Sequence, residues 1–231
     1  MQAVILAGGL GTRLGPLTRN VPKAMIPVGG KPFLEHQLSL LERNGIDDFV
    51  ICVGYLGEQV EAHFGDGGEW GVRIRYSRDG EALLGPAGAL KGAERLLGGR
   101  FFVTYGDAYL RLDYGAMMAS LTRAGKLGMM AVYENRGRYG MSDVAVEEGY
   151  VVRYDKKAAP GEMAWVNFGV SALSKRSLGL IPSGAACGEE EFYGKLITRR
   201  ELLAFEARER FYEIGTPASL EEFGRFVAGK E

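Results

Sequence analysis

The sequence predicts an α/β fold in which a mainly parallel, Rossmann-like sheet is covered by helices on both faces. Short runs of β-branched and aromatic residues alternate with longer stretches of helical spacing through the first half of the chain. Beyond Tyr133 the predicted strands follow one another more closely, which indicates an added antiparallel subregion. We therefore expect a parallel sheet extended by antiparallel edge strands.

Five runs are predicted to form the strands of the first half: AVIL (3–6), DFVICV (48–53), VRIRYS (72–77), RFFVTY (100–105) and LGMMAVY (127–133). Helical spacing lies between them in residues 32–44, in LGEQVEAHF (56–64) and in AGALKGAERLL (87–97). Asn44-Gly45 is typical of a helix end. Strands connected by helices lie parallel, so ligands are expected at their carboxyl ends.

The second half begins with a predicted hairpin. DVAVEEGYVVRY (143–154) pairs two short strands across a Glu-Glu-Gly turn, and AWVNFGVSAL (164–173) is a longer strand. PASLEEFGRFV (217–227), with Pro217 near its start, is a closing helix. Because no linker or repeat separates the halves, we expect one domain over residues 1–231, divided into 1–133 and 134–231.

Composition limits the functions to consider. Twenty-eight Lys and Arg residues against 29 Asp and Glu give a net charge of -1, which argues against a broad nucleic-acid or anionic-membrane surface. No apolar run approaches the roughly 18 residues of a membrane span, and no basic segment precedes the first strand. Cys52 and Cys187 are expected to be buried thiols, which fits a reducing cytoplasm.

A glycine-rich loop follows the first predicted strand over residues 8–30. It matches neither common phosphate loop, because Leu14 stands where GxGxxG needs its third glycine and no GK[ST] is nearby. Glycines let backbone N–H groups approach a ligand, while Arg13 and Lys23 supply positive charge on a loop stiffened by prolines. A polyphosphate is the natural ligand of such a loop.

The loop resembles the signature of a known family. LAGGLGTRLGPLTRNVPKAMIPVGGKP (6–32) is similar to GGxGTRLxPLTxxxPKxxxPVxxKP of the sugar-1-phosphate nucleotidylyltransferases, the NDP-sugar pyrophosphorylases. Similarity continues in LLGPAGAL (83–90), YGDAY (105–109), WVNFGV (165–170) and FYEIGT (211–216). The resemblance implies a GT-A-like nucleotidyltransferase fold, with nucleotide bound by residues 1–133 and sugar phosphate by residues 134–231.

The implied reaction joins a nucleoside triphosphate to a sugar 1-phosphate and releases pyrophosphate. By resemblance, Arg13 contacts the leaving β- and γ-phosphates, Lys23 lies near the α-phosphate, and both are catalytic together with Asp107. The nucleotide-binding set implied by the family is Leu6, Ala7, Gly8, Gly9, Gly11, Thr12, Arg13, Lys23, Glu81 and Gly88. The sugar phosphate can attack the α-phosphorus directly, so catalysis is positioning and charge neutralisation.

Asp107 directly follows a predicted strand, where α/β proteins place their sites. Two polyanionic substrates accumulate negative charge, and Mg²⁺ held by one or two carboxylates and phosphate oxygens neutralises it. The resemblance implies Asp107 as a Mg²⁺ ligand and Glu213 as the second. Glu213 stands where the family usually has Asp, so direct coordination and contact through water both stay open.

The acceptor side follows from VVRYDKKAAP (151–160), which resembles the FxEKP stretch whose lysine holds the sugar phosphate. This alignment assigns that role to Lys157, while a register shifted by one residue assigns it to Lys156. Gly140 and Asn167 match residues that approach sugar hydroxyls in relatives. An amide can both donate and accept hydrogen bonds there.

Base and sugar are inferred from EALLGPAGALK (81–91), which is most similar to guanylyltransferases acting on mannose 1-phosphate or heptose 1-phosphate, with Glu81 facing guanine. A uridylyltransferase for an amino-sugar 1-phosphate is the alternative. A non-catalytic subunit that senses nucleotide sugars is a third hypothesis. No hexapeptide-repeat tail follows, so acetyltransferase activity is not expected, and a homodimer is compatible with the sequence.

Overall fold

A computed structural model of the chain describes residues 1–78, 84–135, 138–139 and 141–230. Its helices are α1 (Phe33–Arg43), α2 (Gly57–Phe64), α3 (Gly85–Gly92), α4 (Tyr114–Ala124), α5 (Glu189–Thr198) and α6 (Pro217–Val227). Its strands are β1 (Gln2–Leu6), β2 (Pro27–Val28), β3 (Lys31–Pro32), β4 (Asp48–Val53), β5 (Arg73–Arg78), β6 (Arg100–Tyr105), β7 (Ala108–Tyr109), β8 (Gly128–Glu134), β9 (Val144–Glu147), β10 (Tyr150–Tyr154), β11 (Trp165–Ser174), β12 (Leu202–Glu206) and β13 (Tyr212–Glu213).

The main sheet has nine strands in the order β5-β4-β1-β6-β11-β8-β12-β10-β9. Strands β5, β4, β1 and β6 are parallel, as predicted. The sheet is nevertheless more mixed than expected, because β11 runs antiparallel to both β6 and β8 at its centre. Every residue of β11 from Val170 to Ser174 is buried. Consecutive buried residues show that both faces of this central strand are covered.

Helices cover both faces of the sheet, as predicted. On β1, Ala3 and Ile5 belong to a core cluster that includes residues of α1, α2 and α4. Val4, which points to the opposite face, belongs to a cluster that includes residues of α3 and α5. Among the described helices, none is both long and apolar enough to cross a bilayer.

A third apolar cluster supports the short strands β7 and β13. Phe223 of α6 is buried against Phe33, with ring centroids 5.0 Å apart, and against Tyr109 and Tyr212. The Thr216 and Ser219 side chains form a capping box that begins α6. Helix α6 therefore supports the pair of short strands that holds Glu213 on β13 and Asp107 directly before β7.

The register of the parallel strands defines the functional edge. Leu6 of β1 is paired with Tyr105 of β6, so the glycine loop and the segment that carries Asp107 leave the sheet side by side. The end of β4 also lies against this loop, because a Cβ at Gly54 would be 2.9 Å from the carbonyl oxygen of Gly8. Only glycine at position 54 permits this approach.

Candidate active site

The glycine loop folds over the Thr18 side chain. Gly11 has φ +63°, and a Cβ there would lie 2.8 Å from Thr18 Cγ2. Thr18 Oγ1 donates a hydrogen bond to the carbonyl oxygen of Gly11 at 3.0 Å. A glycine is thus required at position 11 both by the left-handed backbone and by the contact with Thr18.

Beneath the loop lies a cavity of about 230 Å³, here called the phosphate cavity. Most residues of the predicted nucleotide-binding set line it, together with the strand-end segment after β6: Leu6, Ala7, Gly9, Gly11, Thr12, Arg13, Lys23, Ala24, Tyr105, Gly106, Asp107 and Gly215. Lys23 Nζ forms an ion pair with the Asp107 carboxylate. Arg13 is exposed, and its guanidinium has no ion-pair partner within residues 1–78, 84–135, 138–139 and 141–230.

A second cavity of about 260 Å³, the base cavity, opens on the other side of the loop. Its lining is mostly apolar and consists of Leu6, Gly8, Gly9, Leu10, Cys52, Gly85, Pro86, Ala89 and Tyr105. Gly88 is absent from this lining and is closely packed, since a Cβ there would lie 2.7 Å from Leu84 Cβ, and its contact with nucleotide stays a prediction. Glu81, the predicted partner of guanine, lies outside the described residues.

A third cavity of about 250 Å³, the acceptor cavity, adjoins the phosphate cavity. It is lined by Tyr105, Asp107, Ala108, Asp143, Tyr154, Lys156, Asn167, Phe168, Gly169, Glu189 and Glu213. Tyr105 and Asp107 line both cavities and form their common wall. A ligand in one cavity can therefore meet a ligand in the other at Asp107.

The two predicted metal ligands come together on neighbouring strands. Glu213 of β13 is paired with Ala108 of β7, and the Ile214 N–H donates to the Asp107 carbonyl oxygen at 3.1 Å. Both carboxylates line the acceptor cavity. A Cβ at Gly215 would collide with the Glu213 carboxylate and lie 3.1 Å from Arg13 Nη2, so glycine leaves the space between these two groups open.

This donor set fits Mg²⁺. No group of three or more His, Cys, Asp and Glu side chains suited to a metal ion occurs in the described residues. Mg²⁺ is usually bound by one or two carboxylates and completes its shell with water and substrate phosphates, whereas structural metals need a full protein cage. Asp107 and Glu213 beside a phosphate cavity meet the former requirement.

Asn167 lies where sequence similarity predicts it, on a distorted part of β11. The pairing of β11 with β8 shifts register between Asn167 and Ser171, and Gly169 within that bulge has φ +86°. The Asn167 amide is fixed from two sides: its oxygen accepts from the Gly169 N–H at 3.0 Å, and its nitrogen donates to Tyr154 Oη at 3.3 Å. The bulge thus directs the amide into the acceptor cavity. Gly140 lies outside the described residues.

The structure distinguishes the two candidate lysines by position. Lys156 lines the acceptor cavity and forms an ion pair with Glu189. Lys157 is exposed and absent from the lining, and its backbone N–H donates to Asp155 at 2.9 Å. The alignment that assigns the phosphate contact to Lys157 therefore selects a side chain that does not line the cavity. Which lysine contacts the sugar phosphate stays a prediction.

Sequence reasoning missed two carboxylates of the acceptor cavity, Asp143 and Glu189. Burial raises the pKa of Asp143 to about 6, although a 2.8 Å hydrogen bond from the Asn167 N–H and the charge of Lys156 lower it. Burial and the neighbouring Glu190 raise the pKa of Glu189 to about 7. Contact with Lys156 opposes that rise. No local motif marks either carboxylate, because the start of β9 and the start of α5, far apart in the sequence, bring them together.

We expect Asp143 to lower the stability of the protein as pH rises, which is the opposite of the usual effect of a carboxylate. Its folded-state pKa is about 6 against an ordinary value of 3.8, so the native protein binds the proton more tightly than the unfolded chain. Asp143 therefore contributes to the free energy of unfolding below about pH 4, and this contribution is lost as pH rises through 6. The loss is up to roughly 3 kcal/mol, at 1.36 kcal/mol per pKa unit. Asp143→Asn should therefore gain stability relative to the native protein between pH 4 and 7 in urea unfolding. A difference between the two proteins that stays constant from pH 4 to pH 7 would contradict this.

Comparison with known proteins adds the family. The nucleotidyl transferase family model matches residues 2–227. Three curated relatives differ in the base they transfer. UTP–glucose-1-phosphate uridylyltransferase of Synechocystis is 32% identical over 80% of this chain, and the alignment spans 52% of that relative's length. Glucose-1-phosphate cytidylyltransferase of Salmonella typhimurium is 32% identical over 89% of this chain and 88% of its own.

The third relative, D-glycero-alpha-D-manno-heptose 1-phosphate guanylyltransferase of Campylobacter jejuni, is 29% identical over 96% of this chain and 98% of its own. Among solved structures, HddC from Yersinia pseudotuberculosis complexed with GMP-PN superposes with a TM-score of 0.79 at 25% identity, covering 98% of this chain and 99% of that one. These similarities confirm the α/β fold class and the resemblance seen in residues 6–32. The chain therefore belongs to the nucleotidyl transferase family.

Proposed function

We propose that the protein transfers a nucleotidyl group from a nucleoside triphosphate to a sugar 1-phosphate, giving an NDP-sugar and pyrophosphate. One observation carries this proposal: the phosphate cavity and the acceptor cavity share a wall formed by Tyr105 and Asp107. Arg13 and Lys23 line the first cavity, and Lys156 lines the second. Two anionic substrates bound on either side of that wall would meet at a cation-lined boundary, which is the arrangement that phosphoryl transfer requires.

The roles of the residues follow from their places. The Arg13 guanidinium is exposed and has no ion-pair partner in the described part of the chain, so it is available to bind the leaving β- and γ-phosphates through its planar fork. Lys23, held at Asp107, places its charge at the boundary where the α-phosphate would lie. Asn167 orients the sugar, and no protein nucleophile is needed because the sugar phosphate oxygen is itself the nucleophile.

Asp107 and Glu213 would hold Mg²⁺ at the same boundary. The ion would supply neutralisation of the negative charge that two polyanions bring together. In the structure, Asp107 forms an ion pair with Lys23. An ammonium has three N–H donors, so Lys23 would be able to contact a phosphate while it stays beside Asp107.

We further propose GTP as the nucleotide and a mannose- or heptose-type sugar 1-phosphate as the acceptor. Support comes from the similarity of residues 81–91 to guanylyltransferases, from the heptose 1-phosphate guanylyltransferase relative and from HddC, whose ligand GMP-PN contains a guanine nucleotide. A uridylyltransferase is the second candidate, which the Synechocystis relative favours.

A substrate matrix tests these proposals. Purified protein with Mg²⁺ is incubated with each of GTP, UTP, CTP, dTTP and ATP against mannose, heptose, glucose and amino-sugar 1-phosphates, and pyrophosphate release is measured. We expect the highest kcat/KM with GTP and mannose or heptose 1-phosphate. The highest value with UTP would select the second candidate. Binding of NDP-sugars without any pyrophosphate release would instead indicate a sensing subunit.

The two lysines give a sharper prediction for the acceptor. Lys156→Ala should raise KM for the sugar 1-phosphate about ten- to a hundredfold, because a charge-assisted phosphate contact contributes on the order of 1.5–3 kcal/mol. Nucleotide binding measured without acceptor should stay near normal. Lys157→Ala is the matched control and should change neither value, since Lys157 is exposed outside the cavity. The reverse pattern would show that Lys157 holds the phosphate.

A further inference from the structure

The acceptor cavity contains a carboxylate, Glu189, that neither the metal site nor the sugar contacts account for. Its side chain is only 10% exposed, yet it forms an ion pair with Lys156, whose side chain is 49% exposed. The second carboxylate oxygen of Glu189 has no hydrogen-bond partner among the described residues. A buried carboxylate with one partner contributes little to stability, because the cost of removing it from water offsets the attraction. Its presence calls for another explanation.

Glu189 is held more rigidly than the lysine that it contacts. It is the first residue of α5 and follows Cys187 and Gly188, where the positive end of the helix dipole favours a carboxylate. Cys187 is fixed by three backbone hydrogen bonds to the start of α3: its N–H donates to Leu84 at 2.9 Å, and its carbonyl oxygen accepts from Ala87 and Gly88 at 3.2 and 3.3 Å. The carboxylate therefore has a fixed position.

Lys156, in contrast, has a long side chain with many accessible rotamers, and ordering it costs conformational entropy. An ammonium has three N–H donors, so it can keep one on Glu189 and direct the others at a phosphate. Protein kinases use a glutamate in this way to hold a phosphate-binding lysine.

We propose that Glu189 is a positioning residue that holds Lys156 over the acceptor cavity for contact with the phosphate of the sugar 1-phosphate. This inference rests on the proposed function for the identity of the acceptor. The contact between Glu189 and Lys156 can be tested without it.

The kinetic test compares Glu189→Gln with Glu191→Gln. Glu191 is the matched control, because it lies in the same first turn of α5, is outside the cavity lining and pairs with Lys195 at 2.6 Å. With mannose 1-phosphate as acceptor, Glu189→Gln should raise KM for the sugar phosphate about tenfold, the loss expected for one weakened contact to a charged group. The KM for the nucleotide and kcat should change less than about twofold, and the control should match the native protein. Equal acceptor KM values in both variants would overturn the proposal.

A double-mutant cycle separates positioning from a general structural effect. If Glu189 acts through Lys156, then Lys156→Ala combined with Glu189→Gln should have the same acceptor KM as Lys156→Ala alone. Multiplying defects would show that Glu189 acts independently of Lys156 and would overturn the proposal. Glu189→Asp serves as a second variant that keeps the charge but retracts it by one methylene, and we expect an intermediate KM.

A spectroscopic readout keeps this test apart from the proposed function. Lysines of the full chain are reductively methylated with ¹³C-formaldehyde, and the Lys156 signal is identified by its loss in Lys156→Arg. It should shift in Glu189→Gln and not in Glu191→Gln, and an unchanged signal would overturn the proposal. If the native protein turns over no sugar 1-phosphate, the proposed function fails. In that case the binding of inorganic phosphate is measured from the change in the Lys156 signal. Weaker phosphate binding in Glu189→Gln than in the native protein supports the positioning role, and equal binding overturns the proposal.

Discussion

Asp107→Asn is expected to lower kcat at least about a hundredfold at saturating Mg²⁺ and substrates, because metal-assisted charge neutralisation supplies several kcal/mol and a neutral amide is a poor ligand for this cation. Asp107 lines both the phosphate cavity and the acceptor cavity, so the substitution removes a negative charge from their boundary. The measurement is pyrophosphate release across a Mg²⁺ titration, with the melting temperature as a check on folding.

The control for this substitution lies six residues further along the chain. Asp113 caps α4 by accepting a hydrogen bond from the Ala116 N–H at 2.8 Å, and it lines neither the phosphate nor the acceptor cavity. Asparagine caps helices as well as aspartate does, so Asp113→Asn should retain full activity. Near-normal turnover in Asp107→Asn would remove Asp107 from the metal site.

Lys23→Met is expected to impair nucleotide use and kcat together, with kcat reduced roughly a hundredfold, the usual cost of losing a group that stabilises charge in the transition state. The Lys23 ammonium lies at Asp107, where the α-phosphate is proposed to bind, and methionine keeps most of the length of the unbranched side chain without its charge. Initial rates with varied nucleotide and fixed sugar 1-phosphate measure both parameters.

Loss of Lys23 also leaves Asp107 without its ion-pair partner, so a second variant is needed. Lys23→Arg retains the positive charge beside Asp107 and should keep the folded state and part of the activity. A normal kcat in Lys23→Met, with only the KM for the nucleotide raised, would place Lys23 at the β- or γ-phosphate and contradict its proposed position.

The fold could be predicted to the extent that local patterns determine it. The runs that predict strands β4 and β6 match their observed bounds, and the hairpin of β9 and β10 turns at Glu148 and Gly149, both with positive φ. The central position of β11 could not be predicted, because its antiparallel pairing with β6 joins residues about 70 positions apart and has no local signature. The spacing of apolar residues predicts which residues are buried, but it does not predict which strands pair with each other.

For the site, the sequence indicated residues that the structure brings together where those residues share one segment or two neighbouring strand ends. Arg13 and Lys23 share a single loop, and Asp107 lies just beyond the end of β6, whose parallel partner β1 leads into that loop. Prediction failed for Asp143 and Glu189, which reach the acceptor cavity from the start of β9 and from α5. The sequence alone does not show whether the side chain of Lys156 or that of Lys157 lines the acceptor cavity. The structure shows that it is Lys156.

The place of β12 in the sheet has a consequence for biosynthesis. Leu202–Glu206 is inserted between β8 and β10, both of which precede it in the chain. Until these residues leave the ribosome, β8 therefore presents one unpaired edge of backbone N–H and C=O groups to its surroundings. Such an edge is a template for pairing with another chain. A nascent polypeptide that already carries the glycine loop and Asp107 thus completes its sheet only after Glu206 has been translated.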